Sequence, residues 1–569
     1  MRRIFSFCVG LFSIIAISNI VWADERGRDG ELKLLYWQAP STMMPYLSGG
    51  TKDLEASSIV LEPLARYDND GRMHPWLAVE IPTVENGGIS NDLTSITWKI
   101  KHGIQWSDGS ALTADDAVFT YEYCTHPESG CAQSNYFNDI VSVKAVDSHT
   151  IKINFSVPKP FPYSAFVGYN APILQKAQFK ECMGVKAQEC TEANFNPIGT
   201  GPYKVVDFKP NDVVLLEANE LYRDQEKPAF GNVLIKGGGD ATSAARAVLE
   251  TGEMHYAWNL QVEPEILNKM VVAGKGTIIA GFGTAVERLM VNLTNPDPAL
   301  GDDRSEYIGG NNPHPFLSDY AVRRALSLAI DRQILVEAGY GFAGKISCNV
   351  LPAPAIYASD ANDECKIQNV DEANRILDEA GWERGSDGIR SKNNVRLSIL
   401  YQTSTNSVRQ GTQALIKEMW KAIGVETELR NISASVFFGG DISSPDTYQK
   451  FYADIEMYTN TFSGTDPETY MASWTCKEIV GSSTNWGGVN MPRYCNPDYD
   501  ALSAEMSKTA NLDERIRLAK SMNDILMQDY VMIPLIHRGG VSAFSNLLEG
   551  PRGNEWDSEL WNIADWHIK

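Results

Sequence analysis

The chain has 569 residues, of which 43% are hydrophobic and 21% are charged, and this length and balance suit several domain-sized units with buried cores. The formal net charge at pH 7 is −22. Because a phosphate backbone is bound by clusters of Lys and Arg, which this sequence lacks, we expect no nucleic-acid partner.

The first residues have the pattern of an export signal. Two arginines precede an apolar segment, residues 4–21, and the small residue Ala23 ends the segment as in a signal-peptidase site. We therefore expect residues 1–23 to be removed after Ala23, leaving a mature chain outside the cytoplasm. An uncleaved membrane anchor is the alternative interpretation, which the polar interruption at Ser18-Asn19 disfavours.

The segment after the leader predicts several strands and one well-defined helix. Residues 31–37 alternate apolar and polar side chains, which predicts a first strand, and residues 40–50 form a loop. Residues 59–195 have the pattern of a self-contained α+β unit. Within it we expect strands over 95–101 and 150–155 and a helix over 113–123 with Thr113 as its N-cap.

A stiff turn and a β-hairpin follow this unit. The turn is Asn196-Pro-Ile-Gly-Thr-Gly-Pro-Tyr203, in which Gly199 and Gly201 allow a positive φ or the close approach of another backbone. Apolar runs at 203–208 and 213–216 flank a polar turn and predict the two strands of the hairpin. An ordinary surface hairpin is the alternative interpretation.

The second half of the chain alternates helices and strands, which is typical of an α/β unit with helices packed on a mixed or parallel sheet. Residues 295–315 are rich in proline and glycine, so we expect a domain boundary there. Ser318 is the expected N-cap of the next helix. The other expected helices cover 242–250, 371–380, 408–423 and 516–528, and the expected strands cover 289–293, 395–401, 425–430 and 530–536.

The eight cysteines that follow the leader lie in four local couples. An exported chain meets an oxidising environment, which favours disulfides between such neighbours. Because no Cys-x-x-Cys is present and the histidines are scattered, we expect no zinc site and no other metal or cofactor. The expected pairs are Cys124 with Cys131, Cys182 with Cys190, Cys348 with Cys365, and Cys476 with Cys495.

The sequence contains no catalytic motif. Neither a Gly-x-Ser-x-Gly nor a His-Glu-x-x-His stretch occurs, so serine hydrolases of the elbow type and zinc proteases of this class are not predicted. With 72 acidic residues, paired carboxylates arise by chance, and a secreted glycoside hydrolase is therefore a remote alternative.

Several stretches together resemble one family. The turn at 196–203 resembles the Gly-Thr-Gly-Pro-Tyr signature of the family 5 solute-binding proteins, the receptors of ABC importers for oligopeptides, dipeptides, opines and nickel. Val60-Leu-Glu-Pro-Leu64 and Trp106-Ser-Asp-Gly109 resemble earlier signatures of that family, and the helical segments 319–332 and 373–382 resemble later ones. These matches cover nearly the whole mature chain.

The resemblance implies a fold, a location and a partner. The fold would be α/β (mixed α+β), a two-lobed periplasmic binding protein with an extra inserted subdomain. The protein would be a periplasmic monomer that holds a small polar ligand between its lobes and delivers it to a membrane permease with cytoplasmic ATPases. Lobe I would comprise residues 24–58, 196–300 and 531–569, with the subdomain 59–195 packed on it, and lobe II would comprise 301–530.

Two stretches, 458–474 and 485–488, are rich in aromatic and amide side chains and suit a polar ligand held by hydrogen bonds and stacked rings. Core packing is the alternative role for each of these aromatic residues. By resemblance, the first loop and the strand near 289–293 also face the cleft. The candidate ligand-binding residues are Tyr46, Trp258, Asn292, Thr459, Asn460, Thr461, Ser463, Asp466, Trp474, Trp486 and Arg493.

One position departs from the family pattern. In peptide-binding relatives an aspartate shortly before the Asp466-Pro467 element binds the α-ammonium group of the ligand, whereas this chain has Ser463. A buried ammonium without a carboxylate partner costs on the order of 3 kcal/mol or more. Asp466 is a candidate substitute. A peptide, an opine and an oligosaccharide therefore all remain candidate ligands at this point.

Overall fold

A computed structural model describes residues 26–462 and 464–569. The predicted leader, residues 1–23, and the candidate ligand residue Ser463 lie outside these residues. No helix of the described part is long and apolar enough to cross a membrane. The strands are β1 Glu31–Tyr36, β2 Ala65–Tyr67, β3 Met73–Pro75, β4 Ser95–Lys99, β5 Ile140–Asp147, β6 Thr150–Phe155, β7 Tyr203–Lys209, β8 Val213–Ala218, β9 Asn232–Gly237, β10 Tyr256–Ala257, β11 Gly276–Gly281, β12 Val286–Val291, β13 Gly344–Ile346, β14 Glu383–Arg384, β15 Arg390–Lys392, β16 Val395–Arg396, β17 Ser398–Ser404, β18 Glu426–Ile432, β19 Ile455–Asn460, β20 Met532–Arg538, β21 Gly540–Ser545, β22 Leu548–Glu549 and β23 His567–Ile568.

The helices are mostly short, and the two longest carry buried apolar faces in the second half of the chain. They are α1 Thr51–Ser57, α2 Ala114–Thr125, α3 Lys176–Phe179, α4 Thr191–Phe195, α5 Ala241–Leu249, α6 Pro264–Val271, α7 Tyr320–Leu328, α8 Arg332–Leu335, α9 Val370–Glu379, α10 Ser407–Ala422, α11 Ala434–Phe437, α12 Glu468–Met471, α13 Pro497–Met506 and α14 Leu512–Gln528.

The first large sheet has seven strands in the order β11-β21-β10-β1-β9-β8-β7. The predicted hairpin is confirmed, because β7 and β8 pair antiparallel at its edge. The glycines before it serve close approach rather than a positive φ: a Cβ added to Gly199 would lie 1.9 Å from the carbonyl oxygen of Val60, and one added to Gly201 would lie 2.4 Å from that of Ile59. Any larger residue at these positions would separate the hairpin from the preceding unit.

The unit that precedes the hairpin packs on the seven-stranded sheet. Its strands form a three-stranded sheet in the order β4-β6-β5, and one apolar core joins this unit to the large sheet. Thr113 caps α2 as predicted, through a reciprocal capping box with Asp116.

The second large sheet has six strands in the order β13-β20-β12-β19-β17-β18. β12 pairs antiparallel with β19 on one side and with β20 on the other, so both β12 and β20 belong to this sheet. The chain therefore passes between the two large sheets near residues 282–285 and again near Gly539. The lobe boundaries expected at 300 and 531 do not coincide with these crossings and stay predictions. Strand pairing over more than 200 residues is not visible in a local sequence pattern.

One predicted cap is wrong. The carboxylate of Asp319, not the hydroxyl of Ser318, accepts a hydrogen bond from the backbone N–H of Ala321 (3.0 Å) at the start of α7. The Ser318 hydroxyl donates instead to the carbonyl oxygen of His314 at 2.6 Å.

The structure joins the cysteines in the four predicted pairs. Each pair closes a short loop, and the longest, Cys476–Cys495, has a sequence separation of 19 residues. The other pairs are Cys124–Cys131, Cys182–Cys190 and Cys348–Cys365.

Candidate ligand-binding cleft

A cavity of about 1040 Å³, including space open to solvent, lies where strands of the two large sheets end opposite one another. Trp258 and Asn259, which follow β10, line it from the seven-stranded sheet, and residues 458–462 at the end of β19 line it from the six-stranded sheet. Residues of the C-terminal segment 554–559 form a third wall. Its walls combine aromatic, hydroxyl, amide and charged side chains, which is the mixture of groups found in pockets for polar ligands.

Trp258 forms a fixed aromatic wall of the cavity. Its ring stacks on that of Tyr36 with a centroid distance of 4.9 Å and an interplanar angle of 11°. Its backbone N–H donates to the carbonyl oxygen of Leu35 at 3.1 Å, which continues the pairing of β1 with β10. The indole is therefore held in place before any ligand arrives.

The wall formed by β19 rests on a buried ion pair. The carboxylate of Glu287 lies 2.8 Å from the guanidinium of Arg409, and the hydroxyl of Thr459 also donates to it. Burial would raise the pKa of Glu287, but Arg409 and Arg538 outweigh this effect and lower its pKa. Glu287 is therefore ionised, and it holds Thr459 at the cavity surface.

The opposite side of the cavity carries four carboxylates, that of Asp557, which pairs with Arg66 at 3.0 Å, and those of Glu55, Glu555 and Glu559. Burial, followed by the charge of Glu559, raises the pKa of both Glu55 and Glu555 to about 8. Burial also raises the pKa of Glu559. Part of this group is therefore protonated at neutral pH when the cavity holds no ligand.

Four of the predicted ligand-binding residues line this cavity, namely Trp258, Thr459, Asn460 and Thr461. Their contact with a ligand stays a prediction, and Ser463 is not among the described residues. Six predicted residues do not line the cavity: Tyr46, Asn292, Asp466, Trp474, Trp486 and Arg493.

Two of these six are polar residues whose groups are satisfied inside the protein. The Tyr46 hydroxyl donates to the carbonyl oxygen of Pro172 at 2.6 Å. The side-chain amide of Asn292 donates to the carbonyl oxygens of Phe451 (2.9 Å) and Ala453 (3.0 Å). Both residues hold loops in place.

The cationic and aromatic members of the six pack elsewhere. Arg493 is fully buried and donates to backbone carbonyl oxygens, including that of Ser305 at 3.1 Å. Trp474 is 1% exposed and lies edge-on to Tyr470 with a centroid distance of 5.0 Å. Trp486 lies outside the cavity, with the ammonium of Lys450 3.8 Å from its ring centroid. Trp474 therefore packs in the core, which is the alternative role that the sequence allowed for these aromatic residues.

Asp466 is occupied by an internal partner. Its carboxylate accepts hydrogen bonds from the guanidinium of Arg515 on α14, and Glu468 also accepts one from Arg515, at 3.1 Å. Both side chains of the Asp466–Arg515 pair are buried. This pair joins the segment after β19 to the helix packed beneath it.

Sequence reasoning missed the charged residues of the cavity. The acidic and aromatic run Asn554-Glu-Trp-Asp-Ser-Glu559 was the available signal, because such a run is unusual in a C-terminal segment that must pack against a core. The residues concerned are Lys52, Glu55, Arg409, Arg538, Glu555, Asp557 and Glu559.

The chain crosses twice between two mixed sheets and has a polar cavity between them, which is the architecture of two-lobed periplasmic binding proteins. The sequence model of the bacterial extracellular solute-binding proteins, family 5 (middle), matches residues 72–481. The chain belongs to that family, whose members are solute receptors of ABC transporters and not enzymes.

Relatives and solved structures agree with this assignment. The glutathione-binding protein GsiB of Salmonella typhimurium is 23% identical over 519 residues, which cover 90% of this chain and 89% of that protein. The oligopeptide-binding protein AppA of Bacillus subtilis, solved with a nonapeptide, superposes with a TM-score of 0.81 at 21% identity, covering 96% of this chain and 100% of AppA. NikZ of Campylobacter jejuni, solved with Ni(L-His), superposes with a TM-score of 0.75 at 23% identity and covers 96% and 99% of the two chains.

Proposed function

We propose that this protein binds a peptide in the cavity between its two large sheets and delivers it to an ABC permease. The observation that carries the proposal is the cavity itself, whose walls offer an aromatic face at Trp258, hydroxyl and amide groups at 459–461, and carboxylates opposite them. This combination matches the polar backbone and charged ends of a peptide.

The relatives support a peptide over the other ligands. GsiB is named for glutathione, and AppA was solved with a nonapeptide. These acids also disfavour an anionic opine, because a carboxylate brought beside Glu55, Glu555 and Glu559 would be repelled by any of them that is ionised and would find no cation among the three.

Closure of the two lobes would hold the peptide. We place the hinge at the two crossings, residues 282–285 and Gly539, which gives one lobe of residues 26–58, 196–281 and 540–569 and another of 286–538. The unit 59–195 packs on the first of these lobes. Such a hinge allows rigid-body rotation about two short connections.

The proposal includes export and a monomeric receptor. Residues 1–23 would direct export and be removed after Ala23, and the closed monomer would then dock on the permease. N-terminal sequencing of the protein recovered from the periplasm tests the cleavage site.

Peptide binding is tested by incubating the exported protein with pools of random tripeptides and pentapeptides and identifying the retained peptides by mass spectrometry. Retained peptides are then assayed by thermal shift, since a ligand at 100 times its dissociation constant stabilises the folded state by about 2.7 kcal/mol. We expect retention of peptides and an increase in Tm.

A pair of variants tests where the peptide binds, one with a bulky side chain in the cavity and a control with the same side chain elsewhere. Asn460→Trp should abolish retention because Asn460 lines the cavity, whereas Asn311→Trp should not, because Asn311 is exposed in a loop away from it. Failure of the unmodified protein to retain any peptide, or equal retention by Asn460→Trp, would contradict the proposal.

A further inference from the structure

We propose that a polar latch outside the ligand cavity joins the unit 59–195 to the lobe 286–538 and keeps a substantial fraction of the receptor closed before any ligand binds. The inference rests on the proposed closure of the lobes and not on the chemistry of the ligand. The latch consists of Asn138 and Lys159 on the unit 59–195 and of Glu468, Lys477 and Glu478 on the lobe.

Lys159 makes the first contact of the latch. Its side chain is 6% exposed, and its ammonium group forms ion pairs with Glu468 of the lobe and, at 2.9 Å, with Asp139 of its own unit. Burial would lower the pKa of Lys159, but the two carboxylates outweigh this effect and raise its pKa. The lysine is therefore charged where it reaches from one unit to the other.

The side-chain amide of Asn138 makes the second contact. Its nitrogen donates to the carboxylate of Glu478 at 3.1 Å, and its oxygen accepts from the ammonium of Lys477 at 2.5 Å. The opposite charges of these two partners fix the orientation of the amide. Asn135 adds a longer bond, from its amide nitrogen to the backbone carbonyl oxygen of Thr469 at 3.4 Å.

Disulfide-closed loops lie on both faces of the latch. The lobe's partners of Asn138 lie in the loop closed by Cys476–Cys495, and Gly130 of the unit lies in the loop closed by Cys124–Cys131. The two loops touch, since a Cβ added to Gly487 would lie 3.0 Å from the carbonyl carbon of Gly130. Because each disulfide restricts its loop, the two faces meet as preformed surfaces and little ordering is needed when they close.

The contact between the two units can be made and broken. Among the residues that the structure describes, no apolar core contains side chains of both the unit 59–195 and the lobe 286–538. Between them lies a cavity of about 1330 Å³, including space open to solvent, and Asn138, Lys159, Glu468 and Lys477 are among the residues that line it. A permanent interface would be packed and apolar. These polar bridges across an open space are instead typical of surfaces that separate.

Opening leaves neither charge of the first contact without a partner. Lys159 keeps Asp139, and Glu468 keeps the guanidinium of Arg515 at 3.1 Å. A buried charge that lost its only partner would resist opening strongly. Because each group retains one partner in its own unit, the contact favours the closed form without locking it.

The latch should affect all ligands alike. None of its residues lines the ligand cavity between the two large sheets. The apparent affinity for any ligand that needs the closed form is proportional to the fraction of the receptor in that form. A change in the latch should therefore multiply every dissociation constant by the same factor.

Small-angle X-ray scattering of the ligand-free protein tests closure directly. Lys159→Met removes the ammonium group and keeps the length of the side chain, and Asn138→Ala removes the second contact. We expect each variant to have a larger radius of gyration than the unmodified protein. The matched control is Lys204→Met, because Lys204 pairs with Glu217 (3.1 Å) and Glu220 (2.9 Å) within the first lobe alone, and its radius of gyration should not change.

A radius of gyration that is unchanged in both Lys159→Met and Asn138→Ala would overturn the latch. The same increase in Lys204→Met would also overturn it, because the effect would then not depend on the contact between the units. This measurement needs no ligand, so it decides the inference even if the protein retains no peptide and the proposed peptide function fails.

Titration calorimetry with several retained peptides tests the shared effect on affinity. Lys159→Met should weaken the binding of each peptide by about 3- to 10-fold, and by the same factor for all of them. Glu468→Gln should act in the same direction, and the double variant should bind no more weakly than the weaker single variant, since the same contact is lost in each. Factors that differ from peptide to peptide, or that multiply in the double variant, would overturn the inference.

Discussion

The guanidinium of Arg515 donates to both carboxylate oxygens of Asp466, at 2.6, 2.7 and 3.1 Å. This buried pair explains why Asp466, although it lies in the segment expected to face the ligand, has no free acceptor for one. Its role is to hold that segment on α14.

The pair gives a first prediction. Asp466→Asn should lower the free energy of unfolding by about 3 kcal/mol, because it leaves a buried guanidinium with only Glu468 as a charged partner. Peptide affinity of the folded protein should stay unchanged. Denaturant titration and calorimetry measure the two quantities, with the exposed Asp360→Asn as control. Loss of affinity without loss of stability would show that Asp466 binds the ligand after all.

Two tryptophans should behave in opposite ways. Trp258→Ala should weaken peptide binding at least about tenfold, because its ring is a cavity wall, and an aromatic contact of this kind contributes more than its buried area alone. Trp474→Ala should lower the free energy of unfolding by about 3 to 5 kcal/mol through a core cavity and leave affinity unchanged. Calorimetry measures the peptide affinity of each variant, and denaturant titration measures its free energy of unfolding. Weaker binding in Trp474→Ala together with unchanged binding in Trp258→Ala would place the ligand near Trp474.

The buried carboxylate of Glu555 should make the free energy of unfolding of the ligand-free protein decrease as pH rises. The pKa of Glu555 is raised from 4.5 to about 8, so the folded state binds this proton more tightly, and the resulting stabilisation is full below about pH 4.5 and is lost as pH rises through about 8. The free energy of unfolding of the unmodified protein minus that of Glu555→Gln should therefore fall by on the order of 1 kcal/mol or more between pH 5 and pH 9. Denaturant titrations at several pH values measure this difference. A difference that is constant with pH would show that Glu555 ionises normally.

The Cys476–Cys495 disulfide should stabilise the segment that follows α12. Replacing both cysteines by serine should lower the free energy of unfolding by about 3 kcal/mol, since the bond restricts the unfolded chain over a separation of 19 residues. The shorter Cys182–Cys190 loop should contribute somewhat less. Denaturant titration of the two double variants tests whether the longer loop contributes more to the free energy of unfolding. Mass spectrometry of an unreduced protease digest tests which cysteines are bonded to each other.

Local features of the fold were predictable from the sequence. The Thr113 capping box, the hairpin after Gly201 and the neighbouring cysteine pairs each depend on residues close together in the chain, so a short window contains the needed information. The positions where the chain changes sheets were not predictable in the same way, because β12 finds its partners at β19 and β20, more than 150 residues later.

The residues that line the cavity were harder to predict than the elements of the fold. An aromatic and amide-rich stretch predicts a wall, and Thr459 to Thr461 do line the cavity, but the stretch does not distinguish them from Trp474, which packs in the core. The carboxylate of Glu55 accepts a hydrogen bond from the backbone N–H of Glu559, 504 residues later in the chain, and a buried group of acids is not visible in any local pattern.

The most direct test of the ligand site is a crystal structure of the receptor with one peptide recovered from the random pools. We predict that the peptide lies in the cavity between Trp258 and the end of β19. A peptide bound outside this cavity would contradict the proposed function.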